Sequence, residues 1–331
     1  MANQLGRSPV VVTPLGFGAA SIGNLYRHVS DEQAASTVDA AWQAGIRYFD
    51  TAPHYGIGLS ERRLGKGLSA YPRDSYTLST KVGRILVPDA SGADRSDLDN
   101  GFDVAATHRR VWDFSADGVR RSLETSLDRL GLDRVDIVLI HDPDESPDPA
   151  AGVRDAYPAL DELRRQGTVG AIGVGSKDPG VLASFAEETD VDVLMIAGRY
   201  TLLEQPALDH TLPTCERRGI SVLNVGVFNS GLLAVPMPDE SRTYEYGAVP
   251  AEMLRRARAI AEICDRYRTT LPQAAIAFAA AHPAVASVVI GAGKPDHIQR
   301  SAQWHDAPKP PSELWAELVA KGLLREDAPV P

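Results

Sequence analysis

Eight short β-branched runs alternate with amphipathic stretches along most of the 331 residues, and no Ser/Pro/Gly-rich linker separates them. That alternation predicts a closed (β/α)8 TIM barrel, one α/β domain over residues 1–331, because each parallel strand needs a crossover back to the same edge. An open doubly wound sheet is the alternative. Strands are expected at residues 15–19, 47–51, 76–81, 135–141, 169–175, 191–197, 221–227 and 286–290. Ser30 and Asp31 open a helix that stops at Gly45, and Ser60 opens one ending by residues 67–71. Ser115 begins the helix that ends at Gly131, Pro149 the one ending at Gly167, and Pro206 the one ending at Gly219. The polar starts accept orphan helix N–H groups and the glycines supply left-handed stops. The uncharged stretch 271–293 is as long as a membrane span, yet His282 and Pro283 divide it into an Ala-rich helix and a strand. Residues 312–324 repeat apolar positions at helical spacing and predict a last helix. Two long segments, 83–114 and 229–249, follow the third and seventh strands; loops of that length serve as lids or binding loops.

Composition narrows the function. With 44% apolar and 24% charged residues the chain is globular. A net charge of −10 without a basic stripe argues against a nucleic-acid partner, and the interrupted apolar segments argue against a membrane. Cys215 and Cys264 lie far from each other and from any Cys/His cluster, so no metal site is expected and a reducing, cytoplasmic setting is. Apolar residues 10–23 follow Arg7 but contain Pro14, Gly16, Gly18 and Gly23, which suits a strand better than an export signal. The expected partner is a small molecule; nothing in the pattern specifies an oligomeric state.

In a barrel, polar residues at the C-terminal strand ends face the substrate. Strand two ends in Asp50, with Tyr55 just beyond; strand three ends in Lys81 and strand four in His141. Singly, each has an ordinary structural explanation as a turn residue, a solvated amine or a satisfied core imidazole. Together an acid, a phenol, an amine and an imidazole converge from three consecutive strands.

These residues sit in a recognisable context. The run G-I-R-Y-F-D-T-A-P-H-Y at residues 45–55, then Glu61, then Ser79-Thr80-Lys81, then Ile140-His141, resembles the signature of the aldo-keto reductase superfamily. The resemblance covers residues 11–301 and implies a (β/α)8 barrel that binds NAD(P)(H) without a Rossmann domain and works through Asp50, Tyr55, Lys81 and His141. No G-x-G-x-x-G follows any strand, in keeping with that. A phenol near its free pKa of ~10 is a weak base at neutrality. Lys81 about 4 Å away would contribute roughly 4 kcal/mol at an effective dielectric of ~20, which would draw Tyr55 toward about 7. Asp50 would keep Lys81 charged, and His141 would orient the substrate oxygen.

The resemblance also implies a cofactor site of Gly18, Ala19, Asp50, Tyr200, Gly291 and Gly293. Ser176 stands where relatives carry a carboxamide-binding Asn, and Val225 where they carry a stacking Tyr. Gly226, Phe228, Ser230 and Gly231 resemble the pyrophosphate loop. At the adenosine end His297 and Ser301 replace an Arg and an Asn, so NAD is expected over NADP, with Lys294 or Arg300 as the compensating cation for NADP. Phe17, Ile22, His54, Tyr55, Arg84, Trp112 and His141 are expected to wall the substrate pocket. The runs at 16–26, 197–203 and 227–233 are similar to the branch of D-threo-aldose (L-fucose) dehydrogenases and pyridoxal 4-dehydrogenases, which oxidise a cyclic hemiacetal to a lactone. The expected function is therefore NAD-dependent hemiacetal oxidation with Tyr55 as general base. The alternatives are an NADPH-dependent aldehyde reductase and a non-catalytic nucleotide-sensing subunit.

Overall fold

In the computed structural model, which describes residues 2–331, eight parallel strands close into a barrel in sequence order. They are β1 (Leu15–Gly18), β2 (Tyr48–Asp50), β3 (Thr77–Val82), β4 (Ile137–His141), β5 (Ala171–Ser176), β6 (Val193–Ala197), β7 (Ser221–Val225) and β8 (Val285–Gly291). All eight fall within a few residues of the predicted positions. Side chains alternate along each strand, so Tyr48, Ile137, Leu139, Val193, Met195, Leu223 and Val289 fill the barrel interior. The opposite faces carry Leu15, Phe17, Phe49, Leu78, Val138, Ile172 and Leu194 into the layer under the helices. An N-terminal hairpin, Asn3–Gln4 with Val11–Val12, puts Leu5, Val10 and Val12 into that interior cluster and closes the end away from the strands' C-termini.

The ring of helices runs α1 (Asp31–Gln43), α2 (Leu59–Leu68), α3 (Ala116–Leu130), α4 (Tyr157–Arg165), α5 (Pro179–Glu188), α6 (Thr211–Arg218), α7 (Ala251–Arg266), α8 (Leu271–Ala279), α9 (Pro295–Asp306) and α10 (Ser312–Ala320). Ser30 and Ser115 cap α1 and α3 through the backbone N–H groups of Gln33 and Gly118, and Gly131 ends α3 at φ 65°. Ser60 does not cap α2. Gly58 holds that position at φ 74°, and the Ser60 hydroxyl turns inward to the Ala19 carbonyl and Thr51. The helix expected from Pro149 opens instead as a wide turn over Gly152–Ala156, because Pro158 has no N–H for the regular ladder. The 271–293 stretch is α8 followed by β8, and no helix among the described residues is long and apolar enough to cross a membrane.

Gly65 is among the glycines that close backbone approach requires. A Cβ on Gly65 of α2 would lie 2.0 Å from the Leu130 carbonyl oxygen at the end of α3. Gly65→Ala is expected to lower unfolding free energy by about 1–3 kcal/mol in a denaturant titration, the range for overpacking a rigid contact.

Both long segments are ordered over the mouth. Residues 83–114 form antiparallel ribbons: Arg84–Pro88 pairs with His108–Trp112, and Ser96–Asp97 with Phe102–Ala105. Reciprocal bonds between Asn24 and Asp103 stitch this ribbon to the loop after β1. Within 229–249, Thr243–Tyr244 pairs with Gly247–Ala248, and Glu245 at the tip accepts bonds from Lys177 and Arg199.

Candidate active site

At the mouth the inward positions divide by size. Gly18, Gly175, Ala197 and Gly291 leave one half open, whereas Asp50, Lys81 and His141 fill the other. Lys81 Nζ donates to Asp50 Oδ2 at 2.6 Å and to the Thr51 carbonyl at 2.9 Å, and lies 3.1 Å from Tyr55 Oη. Ser79, two residues before Lys81 and so on the same face, donates to Asp50 Oδ1 at 2.7 Å. The rings of Tyr55 and His141 stand edge to face, 5.6 Å apart. The structure thus brings Asp50, Tyr55, Lys81 and His141 together.

The electrostatics differ from the sequence expectation at Tyr55. Burial pushes its phenol up to about 12; Lys81 pulls it down, but Asp50 pushes it back up. The expected value near 7 allowed for the ammonium but not for a carboxylate 2.6 Å behind it or for the loss of solvent. Burial opposes the charge on Lys81, yet Asp50 and Tyr55 together hold its pKa above the ordinary range, so it stays an ammonium. Burial, then Arg84 and Lys81, hold His141 well below the usual histidine range. Burial and Arg110 bring His54 down to about 2. Both imidazoles are neutral at pH 7, and each has a buried, unpartnered Nδ1.

Beside the tetrad stand His54, its ring 5.6 Å from that of His141, Arg84, joined through Asp142 to His141, and Trp112 under the Arg84 guanidinium, with Phe102 of the ribbon 5.3 Å from the His54 ring. Arg110 props His54 through its carbonyl at 2.9 Å and pairs with Asp97. Phe17 and Ile22 do not line the mouth. Gly16 and Gly18 take the inward positions of β1, so Phe17 points outward onto Phe49, 6.2 Å away, and Ile22 is fully buried in the same layer. Sequence reading missed Asp142, whose carboxylate lies 3.3 Å from His141 Nε2 and 2.7 Å from Arg84. Its place directly after His141 was the available signal.

The proposed cofactor residues scatter more widely. Gly18 and Gly291 are paired across β1 and β8, and side chains there would stand in the open half of the mouth. Ala19 is buried beside them. Ser176 Oγ donates to Asp144 and accepts the Asp178 N–H, which leaves it one lone pair for a carboxamide. Val225 ends β7 facing inward, followed by Gly226 at φ 67°. Phe228 packs on Trp304, and Ser230 and Gly231 hold left-handed conformations beneath Tyr246. Tyr200 lies elsewhere: its ring is wholly buried behind the barrel, 5.0 Å from Phe278 and 5.7 Å from His282, as β6 hands over to that layer. The Ser301 hydroxyl is spent on the His297 carbonyl. Around Gly293, Lys294 and Arg300 are joined by Arg27 from the loop after β1, which comes within 3.4 Å of where a Gly293 side chain would begin. The cation missing at position 297 is therefore matched in space by Lys294 and Arg300, as expected from the sequence, and by Arg27, which sequence order hides. An open, glycine-lined half-mouth beside cations around Gly293 that have no ion-pair partner among the described residues fits a nicotinamide dinucleotide, whose phosphates need positive charge.

Comparison with known proteins bears on the family and the fold. The aldo/keto reductase family model matches residues 14–321. A D-threo-aldose 1-dehydrogenase of a Pseudomonas species is 45% identical over 316 residues, 95% of either chain. A pyridoxal 4-dehydrogenase of Microbacterium luteolum is 36% identical over 97% of both chains. Among solved structures, an aldo-keto reductase of Bacillus halodurans superposes with a TM-score of 0.75 at 24% identity, over 100% of this chain and 97% of that one. The chain belongs to the aldo/keto reductase family and is an oxidoreductase of the kind that works with a nicotinamide cofactor.

Proposed function

We propose that the protein oxidises a cyclic hemiacetal, an aldose or pyridoxal, to its lactone. The observation that carries this reading is the Asp50–Lys81–Tyr55 relay beside His141, at 2.6 and 3.1 Å, in a chain whose relatives are named for aldose and pyridoxal oxidation. The bound cofactor supplies the two-electron acceptor for the hydride that leaves the anomeric carbon. In its phenolate form, stabilised by Lys81, Tyr55 Oη takes the proton of the anomeric hydroxyl as that oxygen becomes a carbonyl, and is left as the phenol. Neutral His141 holds the same oxygen without competing for its proton. Rates of NAD(P) reduction with L-fucose, D-arabinose, L-galactose and pyridoxal test the proposal; faster reduction of simple aldehydes by NADPH than any of these oxidations overturns it.

The direction of the Tyr55 shift sets a pH dependence. With the phenol pushed up to about 12, the phenolate fraction grows with pH. We expect log kcat/KM for oxidation to rise with a slope of one from pH 7 upward, with no plateau below about pH 10. A plateau near neutrality would show that Tyr55 is not the titrating base.

NAD is the expected cofactor, but the unpaired Arg27, Lys294 and Arg300 favour a second reading in which NADP is accepted through its 2′-phosphate. Arg27→Ala is expected to move the NADP-to-NAD ratio of kcat/KM about tenfold toward NAD, the worth of one charge-assisted contact. An unmoved ratio removes Arg27 from the adenosine end.

A further inference from the structure

We infer that Arg84 and Asp142 form a hydroxyl-reading pair that selects a neutral, polyhydroxylated ring and grips the hydroxyl next to the reacting carbon. The inference rests on the hemiacetal reading above and names the substrate class within it.

Arg84 is 7% exposed and sits three residues past Lys81, at the root of the ribbon over the mouth. It spends a single amino nitrogen on two carboxylates, Asp142 at 2.7 Å and Glu145 at 2.9 Å. Its Nε is buried with no partner. A guanidinium in a structural ion pair uses its fork bidentately, as Arg110 does with both oxygens of Asp97 a few ångströms along the same ribbon. Arg84 instead places both carboxylates on one amino nitrogen, so that its other amino nitrogen, Nη1, has no protein acceptor among the described residues. Trp112 lies under the guanidinium with 4.5 Å to the ring centroid and fixes its plane.

Asp142 supplies the acceptor. It stands in the left-handed region at φ 40° and is kept there by its N–H bond to the Gly175 carbonyl at 2.8 Å. The same Oδ2 that takes Arg84 is 3.3 Å from His141 Nε2. A substrate oxygen placed between Tyr55 and His141 therefore has its neighbouring hydroxyl within reach of a carboxylate acceptor and a guanidinium donor. A carboxylate and a guanidinium beside that oxygen suit a ring with several hydroxyls better than an apolar aldehyde, which would leave them unmet.

The charge balance selects further. Asp142 and Glu145 share one guanidinium, and burial, Glu145 and Asp144 lift Asp142 to about 6 against the pull of Arg84. An anionic sugar acid would meet more negative than positive charge there.

The test compares L-fucose, 2-deoxy-L-fucose and a uronic acid by kcat/KM, in the wild type, Asp142→Asn and Arg84→Met. The wild type is expected to prefer L-fucose over its 2-deoxy analogue by roughly 10- to 100-fold and to use the uronic acid more poorly than either. Each variant is expected to lose most of that preference, falling further on L-fucose than on the analogue. Equal losses on both sugars would mean that Asp142 and Arg84 only position His141 and the ribbon, and would overturn the inference. If a variant fails to fold, judged by its melting curve, the wild-type ratio alone decides, and a ratio near one overturns it. A wild type that oxidises pyridoxal but no sugar overturns this inference and leaves the hemiacetal reading standing; one that oxidises neither overturns both.

Discussion

Tyr55→Phe is expected to lower kcat for oxidation about 10³-fold while cofactor binding, followed by protein fluorescence quenching, stays within a few-fold of wild type. The hydroxyl is the one titratable oxygen that Lys81 Nζ reaches outside its own ion pair, at 3.1 Å. Removing a positioned general base costs ~10²–10⁴ in rate. The rest of the tyrosine is a ring packed between His141 and Phe102, at 5.6 and 6.1 Å, and phenylalanine keeps those contacts. A variant with wild-type turnover would remove Tyr55 from the chemistry. One that also loses cofactor binding would point to a structural role instead.

Lys81→Met is expected to damage both turnover and stability, and the two effects can be separated. Lys81 is 1% exposed and Asp50 4%, so deleting the ammonium leaves a buried carboxylate with only the Ser79 hydroxyl on its other oxygen. Breaking such a pair from one side costs about 3–5 kcal/mol, because the remaining charge is unmet, whereas removing both charges is often close to neutral. Lys81→Met paired with Asp50→Asn is therefore expected to recover most of the unfolding free energy lost by the single variant, and none of the turnover. Recovery of turnover in the double variant would show that Lys81 only balances Asp50. Failure to recover stability would place the cost in packing around the lysine stem.

The residues that sequence reading placed well share a physical reason. Asp50 and His141 end their strands and Lys81 stands one residue before the end of its own, and the alternation of side chains sends all three into the mouth. Phe17 was misplaced because β1 carries glycine at both inward positions, and a residue without a side chain does not mark which face is which. Tyr200 was misplaced because residues after β6 leave the strand direction before they can be assigned a face. Ser60 has a capping residue's identity but a buried hydrogen-bonding role, which only its neighbours Ala19 and Thr51 decide.

By itself the sequence determined the barrel, its eight strands and the chemical types at the strand ends, since these follow from local periodicity and from the exclusion of charge from apolar strands. Only the tertiary structure decided what those groups are worth. The Tyr55 phenol is pushed up to about 12 because burial and a carboxylate behind the lysine act across strands far apart in the chain. Arg27 reaches Gly293 only because β8 closes on β1, and Arg84 meets Asp142 only because β3 and β4 are neighbours whose loops fold over one mouth. Charge and desolvation depend on distance in space, and barrel closure sets that distance independently of separation along the chain.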